Sequence, residues 1–289
     1  MNSFGKQNCH SFKGLAVLLI TLSLILSACV TTPDLRPDSY LKSETLLQEG
    51  LTAYRNDNFT EAQQKFSRAL QLYQSFDNYK GIALARMNLV ETALANSDFT
   101  IAQSYLTQLK QTDLEPALQR KRIVLAAKFH FEQQHYAAAL NSLKPLLSEL
   151  DGLQKLDEEH LSLLAMQARL EVLISPATES KALAKFSAAL AENPSPHYQA
   201  LLNRTLAVVA VQRKDYQTAT NLLTTALAYY KEQANRRSIA ACLEELADVE
   251  IAQQHLQPAK NYLERALVIR QWLKNNLKIA KLKEKLKLK

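Results

Sequence analysis

The chain has 289 residues, of which 47% are hydrophobic and 22% charged, with only five glycines and a formal net charge of +7. These proportions are typical of a soluble folded protein, and the scarcity of glycine excludes a glycine-rich phosphate-binding loop. Lys6 and Lys13 carry the charge of the amino-terminal end, and seven lysines with one glutamate lie within residues 271–289. Because the basicity is terminal rather than spread over a folded face, we expect no binding of nucleic acid.

The first 28 residues have the pattern of a secretory signal. Lys6 and Lys13 precede an apolar run from Leu15 to Leu26, which is too short to span a membrane as a helix. Leu26-Ser27-Ala28-Cys29 then resembles the bacterial lipobox at all four positions. The resemblance implies that residues 1–28 are a lipoprotein signal peptide and that Cys29 is lipidated. An ordinary signal peptide or an uncleaved anchor remains the alternative.

Residue 30 is Val rather than the Asp that retains enterobacterial lipoproteins in the inner membrane. The resemblance therefore implies attachment to the inner leaflet of the outer membrane, with the protein facing the periplasm. Residues 29–42 contain Pro33 and Pro37 and lack apolar periodicity, so we expect an extended lipidated tether. Ser39 and Lys42 match Ser-x-x-Lys, but no Lys-Thr-Gly accompanies them, and we expect no catalysis from this segment.

A recurring alanine pattern fills most of the remaining chain. Each alanine is followed four residues later by a large apolar residue, and the spacings between them are 40, 37, 43, 37 and 40 residues. The alanines are Ala62, Ala102, Ala139, Ala182, Ala219 and Ala259. A unit of this size cannot bury its apolar face alone, so the copies are expected to stack.

Each unit has the pattern of two helices separated by a short polar break, such as Asn56-Asp57-Asn58 in the first unit. Thr60 is the expected cap of the helix after that break, and Ser175 is the expected cap in the irregular fourth unit. The units resemble the tetratricopeptide repeat, with Gly50, Phe59, Ala62, Phe66 and Ala69 matching its marked positions in the first unit.

The resemblance implies an all-α, right-handed α-solenoid of about six helix-turn-helix repeats over residues 43–272. Residues 273–289 would form a basic C-terminal cap, with Leu273, Leu277 and Ala280 packing on the last repeat. An irregular α-bundle is the alternative fold. The final lysine-rich residues have two interpretations. They contact anionic lipid or an acidic partner, or they form a solvated, fraying end.

In tetratricopeptide solenoids, the first helix of each unit lines a concave groove. Carried over to this chain, the groove positions of the first three units are mostly apolar, and we hypothesise a protein-binding patch. It comprises Leu47, Leu51, Tyr54, Met87, Leu94, Val124 and Phe131. The alternative is that Tyr54, Leu94 and Phe131 are core and that the tether or a neighbouring copy covers the rest. The family's carboxylate clamp, which needs Lys and Asn in one unit and Lys and Arg in the next, is absent, because its positions hold Leu47, Leu51, Leu84 and Asn88.

The sequence contains no pattern that indicates catalysis, a cofactor or a metal site. No two histidines are spaced to share a metal on one helix face, and no nucleophile–base pair is visible. Cys242 lies in an Ala-rich stretch and is expected to be a small core residue. We therefore expect a protein that is not an enzyme, with no catalytic residues, no cofactor and no small-molecule substrate.

These patterns predict an outer-membrane lipoprotein that acts as a scaffold or adaptor for protein–protein contacts in envelope assembly. Its expected partners are unidentified proteins of the cell envelope, and its expected membrane contact is the lipid anchor. The alternatives are a peptidoglycan- or glycan-binding module, which would need exposed aromatic residues on the groove, and a regulator of cell-wall enzymes.

Overall fold

The computed structural model describes residues 36–150 and 156–287, so the predicted signal peptide and Cys29 lie outside the described residues. The described residues form thirteen α-helices and one 3-10 turn, without a β-strand. The helices are α1 Asp38–Arg55, α2 Phe59–Ser75, α3 Tyr79–Ala95, α4 Phe99–Lys110, α5 Pro116–Glu132, α6 Tyr136–Leu147, α7 Glu158–Ile174, α8 Lys181–Glu192, α9 Pro196–Gln212, α10 Tyr216–Glu232, α11 Arg236–Ala252, α12 Leu256–Trp272 and α13 Asn276–Lys285. None of these helices combines the length and hydrophobicity needed to cross a bilayer.

The helices pack in sequence order as pairs. Odd-numbered helices α1 to α11 are the first helices of six units, and each packs against the even-numbered helix that follows it. First helices of neighbouring units also touch, as α3 does with α5 and α7 with α9. This arrangement confirms the predicted all-α solenoid of helix-turn-helix units, with α13 as an additional helix packed on α12.

The recurring alanines lie where the helices of a pair come closest. All six are buried, with exposed fractions between 0% and 5%. The large residues four positions later are buried as well, including Phe66, Phe186 and Leu263. Close packing of small against large side chains is the contact that the spacing predicts.

Eight tight turns join helices with the same backbone geometry. In each turn one residue other than glycine has a φ between 49° and 64°, and these residues are Asp57, Asp77, Ser97, Gln134, Lys214, Ala234, Gln254 and Lys274. At the first turn, Asp57 N–H donates to the Tyr54 carbonyl at 3.1 Å and Asn58 N–H donates to the Ala53 carbonyl at 2.9 Å. This is a Schellman ending of α1. The Asn58 side chain then caps α2 by accepting from the Glu61 amide.

Two of the expected helix caps are wrong. Thr60 lies inside α2, and Asn58 caps that helix because the helix begins two residues earlier than the sequence pattern indicates. Ser175 follows the last residue of α7, and its N–H donates to the Glu171 carbonyl. The cap of α8 is Ser180, whose hydroxyl accepts from the Leu183 amide at 3.0 Å.

The uneven alanine spacing follows from the lengths of the second helices. The second helices α2, α10 and α12 have 17 residues, whereas α4, α6 and α8 have 12. Loops replace the missing turns in the middle of the chain, so the three central units depart from a regular 40-residue period. The first helices keep nearly the same length throughout, which preserves the stack.

The carboxyl-terminal helix packs differently from the expectation. Leu273 is buried as predicted, but Leu277 is 39% exposed and Ala280 is also exposed. Leu282 is instead buried in the core formed with α10 to α12. Because α13 begins at Asn276, the face that packs on α12 contains Leu282 rather than Leu277 and Ala280. At the other end, α1 begins at Asp38, within the segment expected to be an extended tether.

We predict that Gly50→Ala lowers the melting temperature, although alanine is the better helix former. A Cβ atom on Gly50 would lie 2.5 Å from Cε1 of Phe66. The Phe66 ring is 1% exposed and has no free space to move into, so the overpacking should cost about 1–3 kcal/mol. This cost should exceed the helix-propensity gain of up to about 1 kcal/mol. Thermal unfolding followed by circular dichroism measures the difference.

Ala234→Gly is the matched control, because it places glycine where the φ is 49°. Glycine would remove the left-handed strain at Ala234, which costs about 1–2 kcal/mol. Because glycine also loses more conformational entropy on folding, we expect only a slight rise in melting temperature. A rise for Gly50→Ala would contradict the assigned packing of α1 on α2.

Candidate functional site

First helices lie on the inner side of the array, as contacts across non-adjacent units show. Arg169 on α7 and Glu245 on α11 belong to the fourth and sixth units, yet Arg169 Nη2 lies 2.7 Å from Glu245 Oε1. Side chains two units apart meet in this way only where the curvature of the array brings first helices together. The inner surface is therefore the place where a bound partner would contact several units at once.

An ion triad ties three of these helices together. Arg204 on α9 donates from Nε and Nη2 to the two carboxylate oxygens of Glu245, at 2.9 and 2.8 Å. Arg169 donates to Glu245 and to the main-chain carbonyl of Arg204. The three side chains are 17%, 18% and 23% exposed, so the triad is mostly withdrawn from water. Its net charge is positive, because two guanidinium groups share one carboxylate.

The triad shifts the titration of its members. Burial alone would raise the pKa of the Glu245 carboxyl, but the charges of Arg204 and Arg169 hold that pKa below its usual value. Burial lowers the pKa of Arg169, whereas the Glu245 carboxylate outweighs burial and raises the pKa of Arg204. Nearby Cys242 is fully buried, as predicted for a core residue, and burial raises the pKa of its thiol to about 12. A thiol with that pKa is not an effective nucleophile at neutral pH.

The structure separates the seven residues of the hypothesised patch into two groups. Met87 is 0% exposed and Leu94 is 7% exposed, and both lie in a core cluster with Leu106 and Leu125. These two residues cannot present apolar surface to a partner, because their side chains are covered where α3 packs against α2, α4 and α5. The other five residues are half-buried, and they are Leu47, Leu51, Tyr54, Val124 and Phe131.

One of the half-buried residues already has a partner within the chain. Arg237, at the start of α11, donates from Nη1 to the Tyr54 hydroxyl at 2.8 Å. Its guanidinium carbon lies 4.9 Å from the centre of the Tyr54 ring. The contact joins residues 183 positions apart in sequence. Burial raises the pKa of Tyr54 even though the Arg237 charge acts in the opposite direction.

Two further contacts connect the last helices with the first three units. The Asn275 side-chain amide, in the turn before α13, donates to the Ala95 carbonyl at 2.9 Å and to the Ser97 hydroxyl at 3.2 Å. Lys278 on α13 pairs with Glu132 at the end of α5, at 3.1 Å. The array therefore curves until its end meets its beginning. Sequence reasoning missed this closure, although the pair of arginines in the first turn of α11 is a local signal of it.

The described residues contain no group of three or more His, Cys, Asp or Glu side chains placed to hold a metal ion. The most concentrated polar chemistry is the ion triad, in which every charged group is engaged by another. These ion pairs link α7, α9 and α11 to one another.

No protein-family model matches the chain, and no curated protein matches it. Among solved structures, the chain is similar to the apo form of RapI, with a TM-score of 0.49 and 14% sequence identity. The match covers 84% of this chain and 69% of that one. The fold class stated above follows from the helices themselves and from their sequential packing.

We predict that Glu245→Gln destabilises the array by about 2–4 kcal/mol, because it leaves two mostly buried guanidinium groups without a countercharge. Thermal or urea unfolding measures the loss. Asp248→Asn on the same helix is the control, since Asp248 pairs with Lys285 in an exposed position. That control should cost about 1 kcal/mol or less. Equal losses from the two variants would contradict the assigned role of the triad.

The effect of Glu245→Gln should also depend on pH. The folded-state pKa of Glu245 lies below its usual value of 4.5, so the triad stabilises the fold fully above that value and ceases to do so as the pH falls through the folded-state pKa. The difference in melting temperature between the wild type and Glu245→Gln should be constant near neutrality and shrink below about pH 4. A difference that grows in acid would contradict the sign of this shift.

Proposed function

We propose that this chain is a scaffold for protein–protein contacts in the bacterial envelope, anchored by lipid to the inner leaflet of the outer membrane. The single observation that supports a scaffold is the inner surface of the helical array, where first helices of several units converge. Stacked helical repeats create extended curved surfaces that are suited to binding other proteins. The half-buried apolar side chains of Leu47, Leu51 and Val124 are accessible parts of that surface.

The proposed location rests on the sequence alone. The match to the lipobox at Leu26-Ser27-Ala28-Cys29 implies lipid on Cys29, and Val30 favours the outer membrane. Several acyl chains on one residue would give stable attachment, whereas a single chain holds a protein only marginally. The Pro-containing stretch before Asp38 would then hold the array away from the bilayer.

The proposed role is not enzymatic. In the described part of the chain, the strongest polar cluster consists of ion pairs that satisfy one another, and Cys242 is held protonated by its surroundings. A role as an adaptor that presents or positions envelope proteins fits a chain whose recurring alanine pattern is structural.

Binding to peptidoglycan is the weaker candidate. Glycan-binding sites use exposed aromatic rings, and the sequence offered Tyr54 and Phe131 for this purpose. Arg237 engages the face of Tyr54, and the Phe131 ring packs against Tyr136 with 5.7 Å between ring centres. No observation in the described residues therefore favours the glycan alternative over a protein partner.

We predict that Cys29→Ser removes the protein from the outer membrane, because the serine hydroxyl cannot accept the thioether-linked lipid. Metabolic labelling with a radioactive fatty acid and fractionation of the envelope measure the loss. The matched control is Cys9→Ser, which should leave both labelling and location unchanged. Labelled outer-membrane protein in the Cys29→Ser strain would overturn the proposed anchor.

Site-specific photocrosslinking in living cells tests the scaffold. We expect a crosslinking amino acid at Leu51 or Val124, on the inner surface, to capture a defined envelope protein. The control is Gln71, an exposed residue on α2, the second helix of the first unit. Capture of one protein from the inner positions and not from Gln71 is the expected result. Equal capture at all three positions, or recovery of glycan alone, would contradict the proposal.

A further inference from the structure

Two consecutive arginines lie where a helix disfavours positive charge. Arg236 and Arg237 are the first two residues of α11, after its cap Asn235. The amino-terminal end of a helix carries partial positive charge, so cations there are unfavourable. Local helix stability therefore does not explain these residues, and their contacts lie instead on the α1–α2 turn at the other end of the array.

The α1–α2 turn offers three complementary features to a guanidinium group. The Asp57 side chain is only 7% exposed, and its carboxylate lies 3.3 Å from Arg237 Nε and 3.4 Å from Arg236 Nη1. The Tyr54 hydroxyl accepts a hydrogen bond from Arg237. The rings of Tyr54 and Phe59 pack edge to face, and the Arg237 guanidinium lies 4.9 and 5.5 Å from their centres.

This combination is selective for arginine over lysine. A planar guanidinium can stack on an aromatic face while its fork of N–H groups reaches a carboxylate and a hydroxyl at the same time. The ammonium group of lysine is a compact charge that cannot make these contacts together. The geometry of the turn is therefore that of a site built to recognise one type of side chain.

We propose that Tyr54, Asp57 and Phe59 form an arginine-recognition site, which Arg237 occupies within the chain and from which an arginine of a protein partner displaces it. This proposal rests on the scaffold function and names the chemistry that its partner carries. Arg237 acts as an internal ligand, so the unbound array is held closed and a partner gains entry by exchanging one arginine for another.

Arg237 holds the Tyr54 hydroxyl at 2.8 Å, but the contacts with the Asp57 carboxylate are long, and a partner arginine would gain there. Both Arg–Asp57 distances exceed 3.2 Å, whereas strong charge-assisted hydrogen bonds measure about 2.7–2.9 Å. The Arg236 and Arg237 side chains are 43% and 37% exposed, in contrast to the withdrawn arginines of the ion triad. An arginine that is free of α11 can approach Asp57 more closely than Arg237 does from its fixed helix.

The exchange would also affect the contact between Arg236 and Trp272, at the end of the last repeat. Arg236 lies 4.0 Å above the ring of Trp272, which is the only tryptophan in the chain and is 54% exposed. Loss of the Asp57 contacts frees Arg236 and Arg237 together, because they are neighbours on one helix turn. The Asn275 and Lys278 contacts would then remain as the links between the last helices and the first units.

The experiment uses the purified full chain in detergent and two small probes, N-acetyl-arginine amide and N-acetyl-lysine amide. Binding is measured by saturation-transfer NMR titration to the wild type and to Arg237→Ala, which removes the internal ligand and leaves Arg236 as the one arginine beside Asp57. We expect Arg237→Ala to bind the arginine probe about tenfold more tightly than the lysine probe. The wild type should bind the arginine probe more weakly than Arg237→Ala does, since the tethered Arg237 competes at high effective concentration.

A second substitution shows that the binding occurs at this turn. In the Arg237→Ala background, both Tyr54→Phe and Asp57→Asn should weaken binding of the arginine probe, and circular dichroism checks that each variant stays folded. Tyr54→Phe removes only the hydroxyl and keeps the ring. It therefore tests the site even if the Asp57→Asn variant fails to fold. Equal binding of the two probes, no saturable binding, or binding unchanged by both variants would overturn the proposal.

This test separates the proposal from the proposed function. The probes contain no protein partner, so their failure to bind would refute the arginine site and leave the crosslinking result at Leu51 and Val124 unaffected. Conversely, specific binding of arginine with no captured protein would retain the site and reject the scaffold.

Discussion

Each helix pair depends on a small side chain that faces a large one where two helices come closest. Gly50 and Phe66 show the constraint most directly, because even one added carbon atom at Gly50 would lie 2.5 Å from the aromatic ring. Ala62 and its five counterparts meet the same requirement with almost no exposed surface. Because interiors are packed to the density of organic crystals, this contact sets both the distance and the angle between the two helices of a unit.

The turns convert this pair geometry into an array. In eight of them one residue lies in the left-handed region and the next residue is the N-cap of the following helix, which repeats nearly the same change of direction. Small rotations of equal sense accumulate along the chain until α11 and α13 reach the units at its beginning. The inner surface that results carries the ion triad of Arg169, Arg204 and Glu245 and is closed at one point by Arg237 on Tyr54.

The sequence predicted what depends on neighbours along the chain. The spacing of Ala62 and its counterparts predicted the units, their all-helical fold and their buried faces, because these depend on contacts within one pair. It did not predict the caps Asn58 and Ser180, since several polar residues in each break could have served. It also gave no indication that Met87 would be enclosed, because enclosure depends on how α3 packs between neighbouring units.

The contacts between distant units were beyond sequence reasoning for a different reason. Whether Arg237 contacts Tyr54 depends on the sum of the rotations between neighbouring units. If each rotation were slightly different, the first and last units would not meet. Likewise, Arg169 and Glu245 lie 76 residues apart and share no local pattern. The pair of arginines in the first turn of α11 departs from local preference at the place where the array closes.

The central claim is that the array is closed by its own first and last units. Pulsed electron spin resonance between labels at Asn56→Cys and Ala234→Cys measures this directly, in a chain that also carries Cys9→Ser and Cys29→Ser. Both labelled positions are exposed beside the contact, and Cys242 is buried and remains unlabelled. The account predicts one short, narrow distance distribution that becomes longer and broader when Asp57→Ala is added. A long, broad distribution without that substitution would contradict it.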